Sequence, residues 1–501
     1  MTQSTRRALL RSLAGAAGAV PLAPRMLAAG VAAAGASQAH GQQAAHGAGQ
    51  IGTAAGQTRR LAEYAVGLRY EDIPPAVVQR AKDAIADTVA TISYGAELPW
   101  SKMIAAYART NGPGGKSRIL GTDAQVHAPS AALANGAFAH AFELDNLTKP
   151  NSGSHPGATV FSSALALAQE RGAGGRELIT AFVAGNEVMI RVGLATRHSQ
   201  EEHGYHAPGT TGPFGAAIAC GRMLGLDAAA MQNALGIAAS TTAGLLEFAK
   251  SGTGAMVKRL HLGRASEAGV MSASLAASGF TGPQTALEGE FGFLRVLCRD
   301  YDMNLLTQGL GETWACDSIM LKRYACHITA HTPVEATLAL KAQHGFTGAD
   351  IASIEILSTD RAVRVNNIPQ PKDVLLAQYS IPFCVALAVY RNPVDPRSFD
   401  EAAVRDADIM GLAARVRMRP LPPPDNRSDM TSDLTITLKD GRSLNQRTTF
   451  FTGTPERPLD RAALEEKFLL LTRQLGEAKM RRNFARLQAL EKEADLAWIG
   501  A

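Results

Sequence analysis

Helical spacing of apolar residues, in a chain rich in small side chains, is what most limits the folds open to this sequence. Val77, Ala81, Ile85, Val89 and Ile92 step by three or four residues, after Asp72-Ile73-Pro74-Pro75 supplies a stop and a fresh start. That spacing lines one face of a helix. It recurs at Leu178, Ile179, Phe182, Val183, Met189 and Ile190, and from Asp227, an expected N-cap, through Met231, Leu235 and Ile237. With 48 glycines and only 6% aromatic residues, neighbouring helices can approach closely. Residues 58–310 are therefore expected to form a large all-helical domain. Beyond them the period changes to two at Ile354-Glu355-Ile356, Val416-Arg417-Met418 and Leu434-Thr435-Ile436-Thr437-Leu438. Asp440-Gly441 after the last of these is a hairpin signal. Residues 311–454 accordingly predict a smaller α+β domain. From Asp460 the stripe Leu464, Phe468, Leu471 and Leu475 is helical again, so residues 455–501 are expected to return to the first domain.

Several function classes drop out on composition. The net charge of +5 comes without a dense Lys/Arg block beside aromatic residues, which argues against a nucleic-acid partner. Cys220, Cys298, Cys316, Cys326 and Cys384 are scattered and form no CxxC pair, so buried thiols are expected and no zinc ribbon or disulfide framework. Gly114-Gly115-Lys116-Ser117 resembles the end of a phosphate-binding loop, but Thr110 stands where the earlier glycine belongs. His327, His331 and Glu335 have metal-ligand spacing. However, Thr332-Pro333-Val334-Glu335 has the form of a capping box, which would start a helix after His331, and no metal site is expected. The N-terminus carries Arg6-Arg7, a weakly apolar stretch and a cleavage-type Ser37-Gln38-Ala39. Residues 1–39 thus look like a twin-arginine export signal and 40–57 like a linker, giving a periplasmic mature chain without membrane insertion, or a cytoplasmic one if the signal does not act.

Five segments concentrate groups that move protons or hold anions. The first, from His140 to Gly157, contains Glu143, Asp145, Asn146, Lys149 and His155. Gly204-Tyr205-His206-Ala207-Pro208 places an imidazole in a loop leading into an Ala-rich helix. Lys258-Arg259-Leu260-His261 is a basic turn suited to carboxylates, and Lys322-Arg323-Tyr324-Ala325-Cys326-His327 repeats the theme. Gln378-Tyr379-Ser380-Ile381-Pro382-Phe383 opens an apolar helix and reads mainly as core.

In this order the five segments resemble the MmgE/PrpD family, which includes 2-methylcitrate dehydratase and cis-aconitate decarboxylase, over roughly residues 58–490. The resemblance implies a large helical domain, a smaller α+β lid domain, a homodimer, and a cofactor-free site where small polycarboxylic acids react. It implies catalytic roles for His155, His206, Asp145 and Lys258, and substrate-binding roles for Glu143, Lys322, Arg323 and His261. His140 and Lys149 are left with structural or rim roles. Three departures from the family pattern stand out: Asn146-Leu147, Glu143 in place of an aspartate, and Phe383 where the decarboxylase carries a tyrosine. The chemistry expected is proton abstraction next to a carboxylate, with lysines stabilising the growing negative charge and Asp145 orienting an imidazole. Dehydration leads, epimerisation of a related dicarboxylate is the alternative, and a carboxylate-binding protein without activity is the rival of a different class.

Overall fold

Pro74 and Pro75 open the first long helix, α1 (Pro75–Gly95), as proline does at a helix start, where the missing N–H is no loss. The computed structural model describes residues 56–148, 153–250, 255–425 and 430–500. The expected signal and nearly all of the linker lie outside them. A set of mutually buried helices follows: α2 (Ala128–Ala139), α3 (Gly175–Ala195), α4 (Ala207–Leu224) and α5 (Val257–Ala277). By length and composition α3 could cross a membrane, but it is a buried core helix here. The packing of α5 against α4 and α2 is the most extensive in the protein. Small residues permit it: a Cβ at Gly269 would fall 2.2 Å from the Ala216 methyl carbon. Asp227 caps its helix as expected, accepting from the Ala230 N–H at 2.8 Å.

The C-terminal half carries α6 (His331–His344), β1 (Ile351–Ser358), α7 (Ile381–Tyr390), β2 (Val416–Pro420), β3 (Ser432–Leu438) and β4 (Ser443–Thr448). The sheet order is β2-β1-β3-β4, with β1 parallel to β2 and antiparallel to β3. Alternate residues of β3 are buried, as a period of two requires, and α6 covers that face. Gly441 supplies the positive φ of 91° in the hairpin turn between β3 and β4. A large helical body with a smaller α+β part is thus the observed architecture. Two later helices, α8 (Arg461–Leu471) and α9 (Glu477–Gln488), pack back on α1.

Two local expectations are corrected. The capping box at Thr332 does not form: the helix begins at His331, the Thr332 hydroxyl donates to Met430 O at 2.6 Å, and Glu335 accepts from the Thr452 hydroxyl at 2.6 Å. Tertiary partners outbid the local cap. Lys258-Arg259-Leu260-His261 is not a turn but the first turns of α5, which puts Lys258 and His261, three residues apart, on neighbouring positions of one side of the helix.

Candidate active site

The acidic segment leaves α2 at His140 and is held rigidly before any catalytic group is considered. Glu143 adopts a φ of 57°, a left-handed conformation that a non-glycine residue takes only where its surroundings impose it. Asn146 imposes part of it: its amide donates to Ala84 O at 3.1 Å, Asp87 Oδ2 at 3.0 Å and Thr88 Oγ1 at 2.9 Å, all on α1. Its Oδ1 accepts from the Gly157 N–H at 2.8 Å. From α8, Lys467 reaches Asp87, Leu144 O at 3.3 Å and Lys322 O at 2.6 Å. Leu147–Thr148 pairs antiparallel with Ile319–Met320, and Gln378 donates to Phe142 O and Ala325 O, both at 2.9 Å. Three segments distant in sequence are thereby fixed to one another.

Asp145 sits at the centre of the result. His140 Nδ1 lies 2.9 Å and His155 Nδ1 2.8 Å from its carboxylate oxygens. An ionised carboxylate only accepts, so both imidazoles carry their proton on Nδ1. The two rings meet edge-on, with centroids 4.9 Å apart. Burial alone would raise the Asp145 carboxyl, but the facing imidazoles outweigh it and hold the group well below the carboxylate range. Burial pushes His140 down to about 3, against the opposing pull of Asp145. It is a neutral strut, 1% exposed, and not a rim residue.

Glu143 forms a second centre with two cations. Lys258 donates to Oε1, while Lys322 lies 3.4 Å from Oε2 and 3.1 Å from the Glu143 carbonyl oxygen. Burial would raise the Glu143 carboxyl, yet the two ammonium groups bring it well below its usual range. Lys258 is lowered to about 8, mainly by burial and further by Arg259 and Lys322, with Glu143 acting in the other direction. Its ammonium group lies 5.1 Å from the centre of the Tyr379 ring.

His206, at the N-cap of α4, meets His261 with the two Nδ1 atoms 3.0 Å apart. Such a contact needs one donor and one acceptor, so at least the accepting ring is neutral. Burial and nearby Lys258 lower His206 well below its ordinary value and His261 to about 4.

These centres open on a cavity of about 850 Å³ whose wall includes Glu143, His155, His206, Lys258, Lys322 and Tyr379, with His327 beside them. Asp145 stands behind His155 and off the wall. His261 lines an adjoining recess of about 490 Å³, and Arg323 lines neither, so its expected contact with substrate has no geometric support. Asn146 also turns away from the cavity toward α1, whereas Leu147 is on the wall. Phe383 is buried beside Phe399, and it is Tyr379, one turn earlier, that faces the cavity. His327 closes the second Lys-Arg segment without an assigned role, Tyr379 belongs to a segment that reads mainly as core, and Lys467 carries no local signal at all. Lys149 lies outside the described residues. His140, Asp145 and His155 bring ligand-type atoms within 4.8 Å of one another, but the Nδ1 atoms are occupied by hydrogens directed at the carboxylate.

Burial of neutral histidines has a consequence for stability. In the unfolded chain an imidazole takes up a proton near pH 6.5, whereas folded His140, His206 and His261 do so only at lower pH. The unfolded state then binds more protons between those limits, so stability falls as pH drops below about 6.5. The Tm is expected to decline steadily between pH 7 and pH 5; a flat Tm over that interval would contradict neutral burial.

Comparison with known proteins bears on the chain as a whole. Residues 59–306 match the MmgE/PrpD N-terminal domain and residues 324–492 the MmgE/PrpD C-terminal domain. A cis-aconitate decarboxylase of Aspergillus terreus is 30% identical over 352 residues, 66% of this chain and 71% of that protein. The cis-aconitate decarboxylase of Homo sapiens is 26% identical over 417 residues, covering 80% and 85%, and that of Mus musculus 24% identical over 418 residues, covering 80% and 84%. With both domain types matched in order across most of its length, the chain belongs to the MmgE/PrpD family.

Proposed function

We propose that the protein is a cofactor-independent lyase that dehydrates a small di- or tricarboxylic acid by removing a proton next to a carboxylate. Lyase chemistry is the coarse reading that family membership and the decarboxylase relatives support. One observation carries the finer reading. With its Nδ1–H given to Asp145, His155 keeps the Nε2 lone pair free on a residue of the cavity wall that also holds Lys258 and Lys322. An imidazole lone pair and two cations thus share one cavity wall.

In this mechanism a substrate carboxylate binds at Lys322 and Lys258, and His155 Nε2 takes the neighbouring C–H proton. The electron pair left on carbon is delocalised into that carboxylate, where the ammonium charges stabilise it. Lys258, lowered to about 8, is the wall cation best placed in acidity to protonate the departing hydroxyl as the C–O bond breaks. His206, which burial and Lys258 hold well below its ordinary value, stands on the same wall as an acceptor.

Decarboxylation is the second reading, favoured by the activity named for the relatives. It needs a proton donor at carbon but no base, and would leave His155 idle. Proton NMR in D₂O with citrate, 2-methylcitrate, cis-aconitate and iminodisuccinate separates the possibilities. Alkene formation from a hydroxy acid without carbon dioxide release is expected. Carbon dioxide release would replace dehydration by decarboxylation, exchange with inversion and no alkene would replace it by epimerisation, and binding without turnover would leave a carboxylate-binding protein.

We further propose export through the Arg6-Arg7 signal and assembly as a homodimer. A shortened chain in the periplasmic fraction, with twice the chain mass in solution, is the expected result. A full-length cytoplasmic chain would overturn the first and a monomer the second.

A further inference from the structure

The mechanism gives His261 no task, although its ring meets a wall residue of the reaction cavity. His206 lines the cavity of about 850 Å³ and not the recess, whereas His261 lines the recess of about 490 Å³ and not the cavity. Their Nδ1 atoms, 3.0 Å apart, therefore bridge the partition between two spaces. Gly244 leaves room for the approach: a Cβ there would lie 3.1 Å from His261 Nδ1 and 3.5 Å from the His206 Cβ. Phe248 lies against both rings, with centroids 5.2 Å from His206 and 6.0 Å from His261, and so covers the contact with apolar surface. The recess itself meets solvent, because Leu245 and Val257 on its wall are 62% and 46% exposed.

A hydrogen-bonded pair of imidazoles can pass a proton without keeping one. Both Nδ1 atoms are engaged in the contact, which leaves Nε2 of each ring for exchange with the space that ring lines. Neither Nε2 has a partner among the described residues, and neither is shut off from solvent. When His206 carries the proton of the contact, its Nε2 is a lone pair and neutral His261 carries its proton on Nε2. A proton arriving at His206 Nε2 forms an N–H bond there, the Nδ1 proton moves across to His261 Nδ1, and His261 gives up its Nε2 proton to the recess. The pair ends in the mirror arrangement, neutral as before, with one proton carried outward. The reverse sequence brings one in. Burial, with Lys258 nearby, lowers both rings, so the charged pair is short-lived and the proton is handed on instead of stored.

We propose that His206 and His261 form a proton relay between the reaction cavity and the recess, which resets the site while substrate or product fills the cavity. The inference rests on the proton-transfer reading above and deepens it. In each dehydration His155 gains a proton and Lys258 loses one, and both share the cavity wall with His206. The relay carries the first proton out and returns the second. His261 acts only through His206, so its loss is expected to lower kcat and to leave KM nearly unchanged.

The test uses whichever of citrate, 2-methylcitrate, cis-aconitate and iminodisuccinate the wild type turns over. In His261→Ala, kcat is expected to fall roughly 10²-fold, the lower end of what a positioned proton-transfer group contributes. Imidazole entering the emptied recess is expected to restore turnover in proportion to its concentration. Pyrazole, of the same shape and far weaker as a base, is expected not to. His261→Asn keeps a polar group beside His206 but cannot pass a proton on, and is expected to be as slow as the alanine variant; it also serves if that variant folds poorly. No rescue by imidazole, or equal rescue by pyrazole, would overturn the relay and leave the lyase reading intact. Wild-type turnover by His261→Asn would do the same, since His261 would then only orient His206. Wild type that turns over none of the four acids would overturn both.

Discussion

Asp145→Asn is expected to lower kcat by about three to four orders of magnitude, the range seen when a buried carboxylate that orients a catalytic imidazole becomes an amide. The reason lies in proton placement rather than in shape. Asp145 accepts from both His140 Nδ1 and His155 Nδ1, which leaves each Nε2 as a lone pair. An asparagine side chain has one oxygen and one NH₂ group, so it can accept from one ring but must donate to the other. Where it donates to His155, the proton moves to Nε2 and the base facing the cavity is lost. Because the two side chains are nearly the same size, the fold is expected to persist, which a Tm measurement alongside steady-state kinetics would establish. A loss below tenfold in kcat, with the fold intact, would show that Asp145 does not set the tautomer of the base.

Glu143→Gln is expected to have the largest effect on stability, about 3–5 kcal/mol, the usual cost of leaving a buried partner charge uncompensated. Glu143 is buried between Lys258 and Lys322, and no other acidic side chain contacts either ammonium group among the described residues. With the carboxylate gone, Lys258 should fall further below about 8. If it is the general acid, the alkaline limb of the rate profile moves to lower pH. The sign of the wild-type linkage follows from the same pair. Glu143 is lowered in the folded state, so its stabilising contribution is complete above about pH 4.5 and is lost as pH falls toward its folded value. Urea unfolding at neutral pH reads the first effect and a pH–rate profile the second. Unchanged unfolding would mean that the charges are solvated and the cavity is wetter than its walls suggest.

Much of the fold was legible because local chemistry and tertiary burial agree. The three- and four-residue steps along Val77 to Ile92 became α1, and the alternation along Leu434 to Leu438 became β3 with its Asp-Gly turn. Where they disagree, the local signal failed. Thr332 and Glu335 have the spacing of a cap, but each finds a partner from the C-terminal half that binds it better. Asn146 and Leu147 stood out as departures from a family pattern, and only their directions separate their roles. Asn146 locks the loop to α1, while Leu147 meets the cavity.

What the sequence determined by itself is the order of chemistry along the chain: an acidic segment, a histidine loop, two Lys-Arg segments and a helix start. That order sufficed for family membership and for naming His155, Asp145 and Lys258. Tertiary structure alone decided how those groups are paired. Asp145 serves two imidazoles, His206 meets His261 55 positions away, and Lys467 ties Asp87 to the Lys322 backbone from α8. Protonation states follow from burial together with those pairings. They depend on burial and on partners brought together across hundreds of residues, which no local spacing encodes.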